Sequence, residues 1–383
     1  MRVVHTSDWH IGKVLNDYSL LEDQAYILGE LKQFLIEQKA DVLIIAGDLY
    51  DRKVPPAQAV ELLDQVLSGI IQDTGVKILA IAGNHDSPQR LSFASGLFRQ
   101  SGLYLCAKYS QQIETVTFQD PYGDIVFHLM PYADPAQIRA DLKDDSLKGA
   151  NEAVGRLLSL HEQSIDPEKR NVLIAHGFFT DLTSGSGLIF GEETNIGGSD
   201  AVDIGWLSSY DYVGLGHIHT PQRVISEKIR YSGSLLKYSI AEATRHKSVT
   251  VIDFLEKGDM VIEQKSLSPL RDLRIITGTL EELADYKNAV NTNDYVFAQL
   301  EDQDLIPDAM YRLKSVYPNA LGLRLKQKEE VSGPLHAALT LRQGKNPLEL
   351  FEEFHFYVSG RRMEEQDRKI LQQAIKEAEV KDE

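Results

Sequence analysis

The chain has 383 residues, 43% hydrophobic and 25% charged, with a formal net charge of −17. That length allows two or three domains with real cores, and the composition excludes wholesale disorder. No apolar run of about 18 residues is present to span a membrane, no apolar leader opens the chain, and the single cysteine, Cys106, excludes an intrachain disulfide, so a reducing cytoplasm is expected.

The runs Val3–Thr6, Val42–Ala46, Ile78–Ala82, Val172–Ala175 and Tyr212–Leu215 are apolar and strand-like, and the middle three, short and rich in Val, Ile and Leu, read as strands buried on both faces. Between the second and third, Ala57–Ile71 carries Val60, Leu63, Leu67 and Ile70 at helical spacing. Strand–helix–strand alternation implies an α/β architecture. Arg90–Gly102 also shows an apolar helical face, and Asp181–Ser199, rich in Gly, Ser and Thr, predicts a loop. His5 and His128 stand in apolar strand-like settings and are read as structural.

After Ser266 the texture changes. Strands at Arg274–Thr277, Tyr295–Leu300 and Leu321–Leu325 alternate with helices at Leu280–Tyr286 and Pro307–Val316, a small β-α-β-α-β unit with Pro269 near its joint. Lys326–Gly333 reads as a polar linker. Asn346, Pro347 and Glu349 form a helix start. Leu348, Phe351, Phe354 and Val358 share one face of that helix, Gly360 breaks it, and Met363–Ala378 forms a second. Periodicity leaves open whether these helices pack on their own domain or on a partner. The expected organisation is therefore 1–267, 268–330 and 346–380.

Five short motifs each follow a strand-like run. They are Asp8-Trp9-His10, Gly47-Asp48, Gly83-Asn84-His85-Asp86, His176-Gly177 and Gly216-His217-Ile218-His219. In open α/β sheets, sites form beyond the carboxyl ends of strands, so all five would project into one crevice. Asp, Asn and His without cysteine suit Mn²⁺, Fe²⁺, Zn²⁺ or Mg²⁺ rather than a thiolate cage. Asp8 and His10 are two apart, as are His217 and His219, which in extended chain puts each pair on one face. Gly47, Gly83 and Gly216 precede candidate ligands and permit close backbone approach. One histidine after a strand is ordinarily structural. Here His10, His85, His176, His217 and His219, of eleven in the chain, all lie at strand ends.

The set D-x-H, G-D-x-x-D, G-N-H-D, H-G and G-H-x-H resembles the calcineurin-like metallophosphoesterase superfamily. More narrowly, Ser7–Gly12, Gly47–Asp51, Ala82–Ser87 and Gly216–Gln222 resemble the SbcD family of bacterial exonuclease subunits that work with the ATPase SbcC. Tyr231-Ser232-Gly233-Ser234 and the Pro269–Asp272 junction fit it too. The resemblance implies a sandwich of two sheets flanked by helices, a small α+β capping domain for DNA recognition, and C-terminal helices that dock the ATPase through Leu348, Phe351 and Phe354. It implies one ion on Asp8, His10, Asp48 and His219, and a second on Asp48, Asn84, His176 and His217. His85 would be a catalytic residue that is not a ligand. Asp51 and Asp86 would lie behind the ligands and orient them. Lys53 follows Asp51-Arg52 where serine/threonine phosphatases have glycine, and Asp86 stands where they have glutamate.

The expected activity is a Mn²⁺-dependent DNA nuclease in repair, recombination and replication, a 3′→5′ exonuclease on duplexes and an endonuclease on single strands and hairpins. Two divalent ions over two aspartates leave a local charge of about +2, enough to hold a phosphodiester on an acidic protein. The chain has no G-x-x-x-x-G-K-[ST] sequence, so ATP must be hydrolysed by another polypeptide. The family also implies a homodimer within a heterotetramer, with Leu62, Leu63, Leu91 and Phe98 as candidate contacts. The alternative reading is a phosphomonoesterase or cyclic-nucleotide phosphodiesterase on the same scaffold.

Overall fold

The computed structural model describes residues 1–183, 200–302 and 306–326, and, further on, residues 348, 351–352, 355, 363, 367–369 and 371–372. It divides into two compact units, Met1–Leu325 and Lys326–Glu383.

Two six-stranded sheets form the centre of the first unit. One runs in the order Met260–Lys265, Val249–Phe254, Arg2–Thr6, Val42–Ala46, Lys77–Ile81, Leu103–Cys106. Its last four strands are parallel, while Val249–Phe254 is antiparallel to both neighbours. The other runs Gln222–Val224, Ser226–Tyr231, Tyr212–Gly216, Arg170–His176, Gly123–Met130, Glu114–Asp120, parallel except at its two outer pairs.

Alternation along the strands explains the layering. Val42, Ile44 and Ala46 face the second sheet and share a core with Leu79, Ile81, Phe127, Val172 and Ile174. Leu43 and Ile45 face the other way, onto Ile27, Leu31 and Leu67 of the helices Leu21–Gln38 and Ala57–Thr74. Leu173, Val213 and Leu215 pack on the helix Ala150–Glu162 through Val154, Leu157 and Leu158. The central strands are buried on both faces, which is why their sequences are continuous apolar runs.

The strands Leu273–Gly278, Tyr295–Leu300 and Ala320–Leu325 form a parallel three-stranded sheet with its own core of Leu280, Val296, Ala298 and Leu313. Two expected helices are shorter here. The first is a single turn, Leu280–Leu283, closed at its start by a Thr279/Glu282 capping box. The Asp285 side chain then accepts from the Lys287 amide, a turn that competes with further helix. The second begins at Ala309 after a left-handed Asp308. This sheet is not detached from the rest of the unit, since Leu273 and Tyr295 join the large core. Arg271 also reaches Asp23 and Glu22, and the Tyr295 hydroxyl donates to Asp23 Oδ2 at 2.8 Å.

Leu63 and Leu91, expected at a contact between copies, are buried in this chain's own core, and Leu62 packs against it. The exposed apolar residues nearby are Phe93, Leu97 and Phe98. His5 and His128 are buried and hydrogen-bonded, as expected of structural histidines. Residues 184–199 of the expected loop, most of the 326–333 linker, and Asn346, Pro347, Glu349, Phe354, Val358 and Gly360 lie outside the described residues. Leu348 and Phe351 are helical, the first half-buried and the second exposed. No helix among the described residues is long and apolar enough to cross a membrane.

Candidate metal centre

The five motifs lie where the parallel strands of both sheets end, at Thr6, Ala46, Ile81, His176 and Gly216. The sheets meet at this rim. The His176 ring donates from Nδ1 to the Ala46 carbonyl at 2.8 Å. Gly47 is left-handed, and a Cβ there would lie 2.2 Å from His176 Nδ1. A Cβ on Gly83 would lie 2.1 Å from Asp48 Oδ1. Both glycines are required by close approach, as their place before the ligands suggested.

The Asp8–His10 segment departs from the expected extended chain. Asp8 (φ 54°), His10 (φ 44°) and Asp48 (φ 51°) are left-handed, and His217 has φ 110°. These torsions are strained for residues with a Cβ and persist where surrounding contacts fix them. Here the Asp8, His10 and Ile11 amides donate to the carbonyls of Gly47, Asp48 and Leu49. Gln24, on the helix Leu21–Gln38, binds the same turn, accepting from the Gly12 amide and donating to the His10 carbonyl at 2.7 Å. Asp8 and His10 therefore converge through a locked loop, not through strand periodicity.

Three groups of side chains bring metal-binding atoms within 4.8 Å of one another: Asp8, His10 and His219; Asp8, Asp48 and His176; and His10, Asp51 and His85. Asn84 completes the assembly, its Oδ1 lying 2.9 Å from His176 Nε2 and 3.2 Å from His217 Nδ1. All seven expected ligands and His85 thus converge. Burial, opposed in part by His176 and His219, pushes the Asp8 carboxyl up to about 6. Burial also opposes charge on Asp48 and His176, yet each favours ionisation of the other. The Asp48 carboxyl sits below its usual range and His176 is held up at about 9. Burial drives His10 well below the histidine range.

The donor set fits divalent cations. Asp48 Oδ2 is fully buried and has no hydrogen-bond partner, 3.3 Å from His176 Nε2 and 3.7 Å from His10 Nε2. His10 Nε2 and His219 Nε2 face each other at 3.0 Å. Imidazole nitrogens and a carboxylate oxygen that accepts no hydrogen bond, gathered at that spacing, are a donor set that a divalent cation satisfies.

Asp51 lies beside this group, 3.8 Å from His10 Nδ1 and ion-paired to Lys13 at 2.9 Å. Its carbonyl accepts from His85 Nδ1 at 2.9 Å. Asp86 accepts from the amides of Leu49, Tyr50 and Gly83 and ties together the loops that carry Asp48 and Asn84. Burial, and then the Asp48 charge, push its carboxyl up to about 7.

Residues 1–221 match the calcineurin-like phosphoesterase family, and residues 269–356 match the type 5 capsule protein repressor C-terminal domain. A Staphylococcus epidermidis protein named as the SbcD component of nuclease SbcCD is 35% identical over 327 residues, covering 84% of this chain and 85% of that one. Its counterpart from Staphylococcus saprophyticus is 34% identical, covering 84% of each chain. This chain belongs to the SbcD family.

Sequence reasoning missed Glu242 and Gln24. In this SbcD-family chain Glu242 is buried behind His219, its Oε1 3.2 Å from His219 Nδ1. It lies in a Ser239-x-x-Glu242 pattern at a short helical turn, and that pattern was the available signal. Gln24 carried no signal, because a buried glutamine in an amphipathic helix looks like any other polar position.

Proposed function

We propose that this protein is the nuclease component of an SbcCD-type complex, a hydrolase that cuts DNA phosphodiesters with divalent metal ions in DNA repair. The observation that carries the reading is the convergence of Asp8, His10, Asp48, Asn84, His176, His217 and His219 from five separate loops in a chain of this family.

In this reading one ion, manganese by preference, would be held by Asp8, His10, Asp48 and His219, and the other by Asp48, Asn84, His176 and His217. Ions bound there would polarise a phosphoryl oxygen and lower the pKa of bound water. His85 acts beside them. Its Nδ1 donates to the Asp51 carbonyl, and as the imidazolium its Nε2–H would be left to stabilise or protonate the leaving oxygen.

The reading extends to assembly. An SbcC-like ATPase docks on residues 346–380 through Leu348, Phe351 and Phe354, and Phe351 is 48% exposed. The protein forms a homodimer through the surface around Phe98, within a cytoplasmic heterotetramer. The region 268–330, which carries the three-stranded sheet, caps the site and contacts DNA.

End-labelled duplex and hairpin DNA, incubated with Mn²⁺ or Mg²⁺ and with or without the ATPase, tests this. Manganese-dependent cutting from 3′ ends and at hairpins is expected. Rapid hydrolysis of p-nitrophenyl phosphate with intact DNA would instead establish a phosphomonoesterase.

A further inference from the structure

The Glu242–Lys247 pair grips His219 at two points. Glu242 Oε1 lies 3.2 Å from His219 Nδ1, and Ser239 Oγ donates to the same oxygen at 3.3 Å. Glu242 Oε2 accepts from Lys247 Nζ at 2.5 Å. Lys247 Nζ also donates to the main-chain carbonyl of His219 and to Ser234 Oγ, both at 2.7 Å. Both charged side chains are buried, Glu242 at 5% and Lys247 at 8% exposure.

We propose that Glu242 is a positioning residue for the metal position on the Asp8–His10–His219 side, acting through His219 and selective for that position. A carboxylate is an acceptor only, so it fixes the proton of His219 on Nδ1 and leaves the Nε2 lone pair facing His10 and Asp8. It also raises the basicity of the ring as a ligand. Lys247 keeps the buried carboxylate compensated and holds the backbone that carries the ring. The neighbouring histidines are held differently. His176 Nδ1 donates to a backbone carbonyl, and His10 Nδ1 has no hydrogen-bond partner. His176, a ligand of the other position, thus has a backbone carbonyl behind it where His219 has a carboxylate.

This rests on the metal assignment above. The test is Mn²⁺ titration of apoprotein, with free ion read by electron paramagnetic resonance, beside the melting temperature of the apoprotein. Wild type is expected to take up two equivalents, and uptake of none would refute the metal assignment itself. Glu242→Gln is expected to keep the apoprotein fold while one class of ion loses about 10–100-fold in affinity and the other is unchanged. Glu242→Asp keeps the charge for Lys247 but withdraws the oxygen from the ring, so it should show the same selective loss even if Glu242→Gln fails to fold. A purely structural role would lower the melting temperature and leave both affinities alone. Unchanged affinities, or equal weakening of both classes, would overturn the proposal.

Discussion

Gly216 passes so close to Ala46 that a Cβ on it would lie 1.8 Å from the Ala46 carbonyl oxygen. The contact joins the two sheets at the rim where the candidate ligands gather. Gly216→Ala must push the sheets apart or distort the His217–His219 loop, and overpacking of this kind costs about 1–3 kcal/mol or more. Urea unfolding of the metal-free protein should show a loss in that range, with uptake of manganese weakened. Wild-type stability and uptake would mean that the rim yields freely.

His85 stands at the edge of the assembly, its ring centroid 4.8 Å from that of His10. His85→Gln should retain both equivalents of manganese and lose about 10²–10⁴-fold in DNA cleavage rate. Cleavage at the wild-type rate would remove His85 from the chemistry.

Arg271 fastens the three-stranded sheet to the large core by holding Asp23, which is 1% exposed. Arg271→Ala leaves that carboxylate buried with the Tyr295 hydroxyl as its remaining side-chain donor among the described residues. A loss of about 3 kcal/mol is expected in urea unfolding. Adding Asp23→Asn should restore part of it, because the uncompensated charge is gone. Additive losses in the double variant would show that the two side chains act independently.

His128 and His161 form a buried pair away from the metal centre, with ring nitrogens 2.8 Å apart. The Asn171 amide nitrogen already donates to two carbonyls, so its Oδ1 accepts from His128 Nε2. His128 Nδ1 then accepts from His161 Nε2, and a proton added at Nδ1 would set two donors against each other. Burial lowers His128 to about 4, against the Asn171 hydrogen bond, which raises it. Its folded pKa is thus below the unfolded value of about 6.5, so the native state binds fewer protons. This stability is complete above pH 6.5 and is lost as pH falls toward 4, by about 3 kcal/mol at about 1.4 kcal/mol per unit. Burial lowers His5 to about 3, with the same sign. His128→Gln should flatten the acid limb of urea midpoint against pH, and an unchanged slope would place the proton uptake elsewhere.

The strand at Val42–Ala46 was legible because both-sided burial writes itself as an unbroken apolar run. The ligand positions were legible because Asp, Asn and His recur just after such runs. The route by which Asp8 and His10 converge was not. Left-handed torsions at residues with a Cβ are imposed by tertiary hydrogen bonds to the carbonyls of Gly47–Leu49, which local sequence does not encode. Glu242 shows the same limit. It is one acidic residue among 57 in the chain, and only three-dimensional placement separates a ring holder from a solvated charge. The ends of short helices, such as Leu280–Leu283, were lost to a turn bond that propensity does not weigh.

Asp8, His10, Asp48 and His217 take their unusual torsions from the polypeptide around them. The geometry of this rim is consequently written into the backbone of the chain, so a substitution that frees one of these torsions disturbs several side chains together.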